Sequence, residues 1–146
     1  TPRWYRRRQR QMCIRDREWI AEDDSGAVTH PMGDNALGAI CYTDEGYVHV
    51  HLMEADRVNH DLADTMDGRP EEYVRSAKSS LSYSGRWHIE GDQVIHQVSI
   101  SSFPNWAPSR QERYMRFAGN ELELSTDPIA FGDRHIRHRL RWSRAA

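Results

Sequence analysis

The strongest constraint on the fold is a run of alternating segments that meet at short glycine-containing turns. Three such hairpins are residues 38–53, 86–98 and 113–126. Their turns are Thr43–Gly46, Gly91-Asp92 and Gly119-Asn120, and each has a glycine that can supply the positive φ of a tight hairpin loop. Closely spaced hairpins of this kind predict antiparallel strands arranged as a sandwich or a barrel.

The turn geometry also predicts which side chains face each other. A two-residue loop at Gly91-Asp92 pairs Trp87 with His96, because loop length sets the register of a hairpin. Alternation then places Tyr83 and Trp87 on one face with His96 and, further along the strand, Ile100. The sequence therefore predicts an imidazole on an apolar, inward-facing strand surface, next to a tryptophan ring.

A second ionisable residue is predicted to face inward from the third hairpin. Its turn pairs Met115 with Leu124, and Arg113 projects on the same side as Met115 and Phe117. An unpaired charge in a dry core costs several kcal/mol. We expect Arg113 to meet a carboxylate at the barrel mouth, a ring of carbonyls, water or an anionic ligand.

The remaining elements are sparse. Pro70 suits the first turn of a helix, and the pattern predicts a helix over residues 70–81 with Val74, Ala77 and Leu81 on one face. Residues 54–69 are predicted to form a loop. The C-terminal segment alternates with His138 and Trp142 on one face, and we expect a strand with His138 at the barrel rim.

The order and spacing of four segments resemble the bacterial lipocalin-like domain family. These segments are "HPMGDNALGAICYTDEGYVHVHLM", "YSGRWHIEGDQVIHQVSISSFPNW", "NELELST" and "LRWSR". The resemblance covers about residues 25–144 and implies an all-β, lipocalin-like antiparallel β-barrel with one short helix. Members of that family are mostly uncharacterised, and some accompany polyketide or other secondary-metabolite pathways. The family begins with a Gly-x-Trp strand, and this chain keeps only Trp19 and Ile20 of it, so a truncated first strand is expected.

The first 17 residues differ from the rest in composition. They contain seven Arg and one Asp, and without them the chain has 13 basic and 21 acidic residues, a net charge of -8. A basic arm can indicate nucleic-acid or membrane-surface binding. The string "MCIRDR" instead resembles the translation of a transposon-end adapter used in metagenomic sequencing libraries. We interpret residues 1–17 as a non-native tail, residues 18–146 as the domain, and expect neither nucleic-acid nor membrane partners.

The candidate site residues come from the inward faces of the hairpins and the loop that follows. For ligand binding we select His96, Arg113, Trp87, Tyr83 and Trp106, the last as a wall or lid. His96 has three open interpretations: a hydrogen-bonded core histidine, a ligand contact, or a general acid/base. Trp87 and Trp106 are core residues or ligand contacts, and His96 and Arg113 are also the catalytic candidates.

Other chemistry is not indicated. His49 and His51 share a strand face, but it is the more polar face, and we expect them in solvent rather than on a metal. Cys13 and Cys41 do not suggest a disulfide framework, which is compatible with a reducing compartment such as the cytoplasm. No P-loop, dinucleotide-binding glycine motif, nucleophile elbow or zinc motif is present, and no cofactor is expected.

Two functional hypotheses remain. The first is binding of a small, largely apolar molecule inside the barrel, including one with a carboxylate, enolate or phenolate that Arg113 and His96 would meet. The alternative is a cofactor-free isomerase or cyclase acting on a polyketide-like metabolite, with His96 moving a proton and Arg113 stabilising negative charge. The oligomeric state is not indicated by the sequence.

Overall fold

The computed structural model describes the backbone of residues 12–144 and the side chains of residues 18–144. This part of the chain forms ten strands, one α-helix and one 3-10 turn. The strands are β1 (Met12–Asp23), β2 (Val28–Thr29), β3 (Leu37–Tyr42), β4 (Tyr47–Met53), β5 (Ser80–Glu90), β6 (Gln93–Ser101), β7 (Ser109–Ala118), β8 (Glu121–Ser125), β9 (Ile129–Phe131) and β10 (Arg134–Arg144). The helix is α1 (Pro70–Lys78), and the 3-10 turn is Pro104–Trp106.

The strands form one antiparallel sheet that closes on itself. The hydrogen-bonded order is β2-β1-β3-β4-β5-β6-β7-β8-β10-β9, and β1 also pairs with β10. Closure therefore runs through eight strands, while β2 and β9 are short additions to β1 and β10. Eight-stranded barrels are just wide enough to hold one small ligand. The predicted all-β barrel with one short helix is confirmed.

The three predicted hairpins form with the expected turns. Gly46, Gly91 and Gly119 have φ values of 87°, 61° and 59°, which other residues rarely adopt. Trp87 pairs with His96 as the two-residue loop predicts. The third hairpin also has the predicted register, with Met115 opposite Leu124. The sequence was therefore sufficient to predict both hairpin registers near their turns.

One inward assignment was wrong, and a bulge explains the error. The β5–β6 pairing shifts between Ser84 and Gly85, so that Gly85 faces Val98 while Ser84 faces Ile100. The extra residue on β6 reverses the alternation. Ile100 therefore faces outward and is 70% exposed. Gly85 is required at this place, because a Cβ there would lie 1.9 Å from the carbonyl oxygen of Gln97.

The first strand is longer than the truncated strand expected from the sequence. Its backbone pairs with β3 from Met12 to Arg15 and with β10 from Ile14 to Asp23. Residues 12–17 thus continue the strand in the structure and take part in closing the barrel. The assignment of residues 1–17 to a non-native tail stays a prediction, and residues 1–11 lie outside the described part of the chain.

The helix is shorter than predicted, and it docks differently. It ends at Lys78, and Leu81 lies in β5 rather than on the helix face. Val74, which the sequence pattern placed on one helix face with Ala77 and Leu81, is 52% exposed, whereas Glu72 is buried. Glu72 accepts hydrogen bonds from Asp61 N and Arg69 Nε, so polar contacts hold the helix against the preceding loop. Within residues 12–144, no helix has the length and apolar character needed to cross a membrane.

The barrel has two ends of different construction. The turn end carries the three hairpin turns at residues 43–46, 91–92 and 119–120. The loop end carries the longer connections, including residues 54–69, residues 102–108 and the segment that contains β9. The candidate site described below lies toward the loop end.

Candidate ligand-binding cavity

A cavity of about 510 Å³ lies inside the barrel toward the loop end. Its walls are mainly aliphatic and aromatic, and they include Ile40, Val50, Leu52, Leu81, Leu124, Leu140 and Trp142. Among the described residues that line it, Arg113 is the only one with a formal charge. An apolar cavity of this volume with a few polar groups is typical of a site for a small organic molecule.

The strand alternation builds the wall directly. In β4 the exposed and buried residues alternate without interruption, which directs Val50 and Leu52 inward. On β5, Leu81 and Tyr83 line the cavity. Since each strand contributes alternate residues, the wall is a property of the hairpin registers rather than of any single segment.

Two aromatic residues lie at the loop end of the cavity. Phe103 and Trp106 come from the connection between β6 and β7, and both line the cavity. Their rings make an edge contact with centroids 6.1 Å apart, and Trp106 contacts the Tyr83 ring at 5.7 Å. Trp106 is only partly buried. Trp106 therefore borders the cavity at its loop end.

Arg113 projects from β7 into this apolar space. Its Nη1 donates to the carbonyl oxygen of Glu112 at 2.8 Å, and its Nη2 donates to Gln111 Oε1 at 3.1 Å. Both acceptors are neutral, and within residues 18–144 no carboxylate lies within 4 Å of the guanidinium. The half-buried cation is therefore partly satisfied by hydrogen bonds, but within residues 18–144 it has no counter-charge. Because burial in an apolar cavity strengthens electrostatic interactions, an anionic group placed here would be stabilised.

His96 lies between two tyrosines near the floor of the cavity. It is completely buried, with Tyr42 Oη 2.8 Å from Nε2 and Tyr83 Oη 2.9 Å from Nδ1. Burial, assisted by the positive charge of Arg113, lowers the pKa of His96 to about 3. Burial likewise raises the pKa of Tyr42 and of Tyr83 above the usual value. The three side chains therefore form a neutral hydrogen-bonded chain at ordinary pH.

Two further hydrogen-bond donors, His138 Nε2–H and Trp142 Nε1–H, lie in the cavity wall. Trp19 Nε1 donates to His138 Nδ1 at 3.1 Å, so a neutral His138 carries its proton on Nε2. Burial and the nearby Arg113 charge lower the pKa of His138, which favours that neutral form. Trp142 Nε1 is buried and has no hydrogen-bond partner within the described residues. The polar groups around the cavity are thus mainly donors.

The structure brings together some of the sequence-selected residues and separates others. Tyr83, Trp106 and Arg113 line the cavity. His96 and Trp87 do not line it and lie nearer the turn end, where Trp87 Nε1 donates to the Thr43 carbonyl oxygen. His138, which the sequence placed at the rim, is a lining residue.

Several residues of this region were not selected from the sequence, and three of them show why. Tyr42 contacts His96, Trp19 orients His138, and Trp142 forms part of the wall. Trp142 could have been selected, because the alternation of the C-terminal segment already placed it beside His138. Tyr42 and Trp19 could not, since their roles depend on contacts between strands far apart in the sequence.

The described histidines and acids show no metal-site geometry. His49 and His51 are both exposed, and His49 Nδ1 lies 2.9 Å from Ser84 Oγ. Within the described residues, no group of three or more His, Cys, Asp or Glu side chains could hold a metal ion. The H-x-H pattern in β4 is thus explained by an outward strand face.

Comparison with known proteins is consistent with this architecture. The chain is 32% identical over 100 residues, 62% of this chain and 90% of the relative, to the 4'-hydroxy-3'-methoxypropiophenone carrier protein ppsC of Aspergillus oryzae (strain ATCC 42149 / RIB 40). No solved structure matches it. The profile of a family described as lipocalin-like domain matches residues 17–145, and the chain belongs to that family.

Proposed function

We propose that this protein binds a small, largely apolar molecule in the barrel cavity and that the ligand presents a carboxylate, enolate or phenolate to Arg113. The observation that carries the proposal is the Arg113 guanidinium, which faces an apolar cavity without a carboxylate within 4 Å among the described residues. An anionic ligand would supply the missing counter-charge.

The named relative supports the same class of ligand. Its name describes a carrier of 4'-hydroxy-3'-methoxypropiophenone, a phenol with an aryl ketone. The acyl group para to the hydroxyl delocalises the negative charge of the phenolate, and the rest of the molecule is largely apolar. Such a ligand matches a cavity with aromatic walls, several hydrogen-bond donors and one cation.

The geometry favours binding over the isomerase or cyclase hypothesis. A general base must reach the proton that it removes and have a pKa near the working pH. His96 does not line the cavity, and its pKa is lowered to about 3. Arg113 can stabilise negative charge on a ligand, but it cannot accept a proton.

A matched pair of fluorescent probes tests the proposal. 8-Anilino-1-naphthalenesulfonate and N-phenyl-1-naphthylamine share a ring system, and only the first has a sulfonate. We expect the wild-type protein to bind both and to prefer the sulfonate. The Arg113→Met variant should lose about 10- to 100-fold in affinity for the sulfonate, because a hydrogen bond to a charged group contributes about 1.5–3 kcal/mol, and should retain its affinity for the neutral probe.

The control is Arg116→Met, which removes an exposed arginine from the same strand. It should leave both affinities unchanged. If neither probe binds, or if Arg116→Met weakens sulfonate binding as much as Arg113→Met does, the proposed cavity function is wrong.

A separate experiment distinguishes a carrier from an enzyme. The protein is incubated with 4'-hydroxy-3'-methoxypropiophenone, and the compound is then recovered. Unchanged compound supports binding, and a converted product supports the isomerase or cyclase.

A further inference from the structure

We propose that Tyr42 and His96 act as positioning residues that make the Tyr83 hydroxyl a hydrogen-bond donor to an acceptor oxygen of the ligand. This inference rests on the proposed function and extends it from the charge of the ligand to a second recognised group. The ligand class that follows is an apolar molecule with a carbonyl or other acceptor oxygen placed at the cavity floor.

The direction of the hydrogen bonds follows from proton counting. A neutral imidazole has one N–H donor and one acceptor nitrogen. One tyrosine must therefore donate to His96, while the other accepts from it. The tyrosine that accepts keeps its own hydroxyl proton, which needs another acceptor.

The surroundings of the two tyrosines decide between the alternatives. Tyr42 has His96 Nε2 as its hydroxyl partner, does not line the cavity, and packs edge-on against Trp87 at 5.2 Å. If Tyr42 accepted from His96, its proton would be left without an acceptor among the described residues, which costs about 1–3 kcal/mol. Tyr42 therefore donates to Nε2.

Tyr83 is the residue that can accept from His96 and still pair its proton. It lines the cavity and lies 2.9 Å from Nδ1, so Nδ1–H donates to the Tyr83 oxygen. Its remaining proton is then available for water or for a ligand oxygen in the cavity. Hydrogen bonds in a chain strengthen one another, so this arrangement makes Tyr83 a better donor than an isolated phenol.

The tautomer of His96 is the most direct test. Nitrogen-15 NMR of the wild-type protein should show a protonated Nδ1 and an unprotonated Nε2 for His96. His138 serves as an internal reference with the opposite tautomer, because Trp19 Nε1 donates to its Nδ1. A protonated Nε2 on His96 would reverse the chain and overturn the inference.

The second test uses Tyr42, which does not line the cavity. Propiophenone and propylbenzene differ by the ketone oxygen, and each can displace N-phenyl-1-naphthylamine. Tyr42→Phe frees His96 to accept from Tyr83, so we expect propiophenone to bind about 3- to 10-fold more weakly, the range of one neutral hydrogen bond. Propylbenzene should be unaffected.

The double variant of Tyr42 and Tyr83 separates the positioning role of Tyr42 from a general structural effect. Tyr83→Phe should cause a similar loss for propiophenone, and adding Tyr42→Phe should cause no further loss. Tyr114→Phe is the control, because Tyr114 bonds to Asp127 outside the cavity. If propiophenone binds wild type and Tyr42→Phe equally, the inference fails while the proposed function stands. If no probe binds at all, the proposed function fails, and the tautomer measurement still tests the chain.

Discussion

Two regions of the barrel interior contain similar residues but treat their polar groups differently. In the cluster of Tyr42, His96 and Trp87, the polar side-chain atoms have protein partners. Around the cavity, Arg113 has no carboxylate partner and Trp142 Nε1 has no hydrogen-bond partner within the described residues. Mutual pairing of polar groups stabilises a core, whereas unpaired donors around an empty space recognise a ligand. The difference teaches that burial of a histidine or an arginine does not by itself identify a binding residue.

The largest expected change in the free energy of unfolding comes from the cluster of Tyr42, His96 and Trp87. His96→Leu would leave the Tyr42 hydroxyl buried without its partner and would remove the Tyr83 partner as well. We expect a loss of about 3 kcal/mol in the free energy of unfolding, since each unsatisfied buried group costs about 1–3 kcal/mol. Urea unfolding measures the loss. His88→Leu, on an exposed position of the neighbouring strand, should change the value by no more than about 0.5 kcal/mol. Equal losses for His96→Leu and His88→Leu would show that the hydrogen bonds of His96 do not stabilise the core.

Arg113→Met tests the cavity by the same measurement. Arg113 is half-buried and has no counter-charge within residues 18–144. Its removal should preserve or raise the free energy of unfolding, because a methionine of similar length avoids the cost of partly burying the charge. The sign is therefore opposite to that of His96→Leu. A loss of several kcal/mol with unchanged sulfonate affinity would assign Arg113 to the structure rather than to the ligand.

The pH dependence of stability sharpens the comparison. Burial lowers the pKa of His96 to about 3 in the folded protein, from the 6.5 of an unperturbed imidazole. Between these values the unfolded chain binds a proton that the folded chain does not, so the free energy of unfolding falls as the pH drops from 6.5 toward 3. Urea unfolding at pH 7.5 and pH 5 should show a larger loss for wild type than for His96→Gln, which cannot titrate. Equal losses in the two proteins would mean that His96 is not buried as a neutral group.

Deletion of residues 1–11 should have the smallest effect. The cavity is lined from Trp19 onward, and the described pairing of β1 begins at Met12. Residues 12–15 supply every β1–β3 pair of the described residues, so the deletion stops before them. We expect the thermal midpoint to change by only a few degrees and N-phenyl-1-naphthylamine affinity to be retained. Loss of folding would contradict the assignment of residues 1–11 to a non-native tail.

Sequence reasoning was most successful where structure is local. The glycine turns at Gly91 and Gly119 set the two hairpin registers, which correctly paired Trp87 with His96 and Met115 with Leu124. It failed at Ile100, because a bulge depends on the close approach of Gly85 to the neighbouring strand. The helix face was also misassigned, since Glu72 is buried by contacts with the preceding loop that periodicity does not reveal.

The sequence by itself determined the hairpins, the barrel class and the inward direction of His96 and Arg113, because turn chemistry and alternation act over a few residues. Only the tertiary structure decided which of them borders the cavity. Tyr42 comes from β3 and Tyr83 from β5, and both contact His96 on β6 only when the barrel is closed. Arg113 has no carboxylate partner within residues 18–144 for the same reason. Partners are set by the strands across the barrel, and distances through space are not encoded in the spacing along the chain.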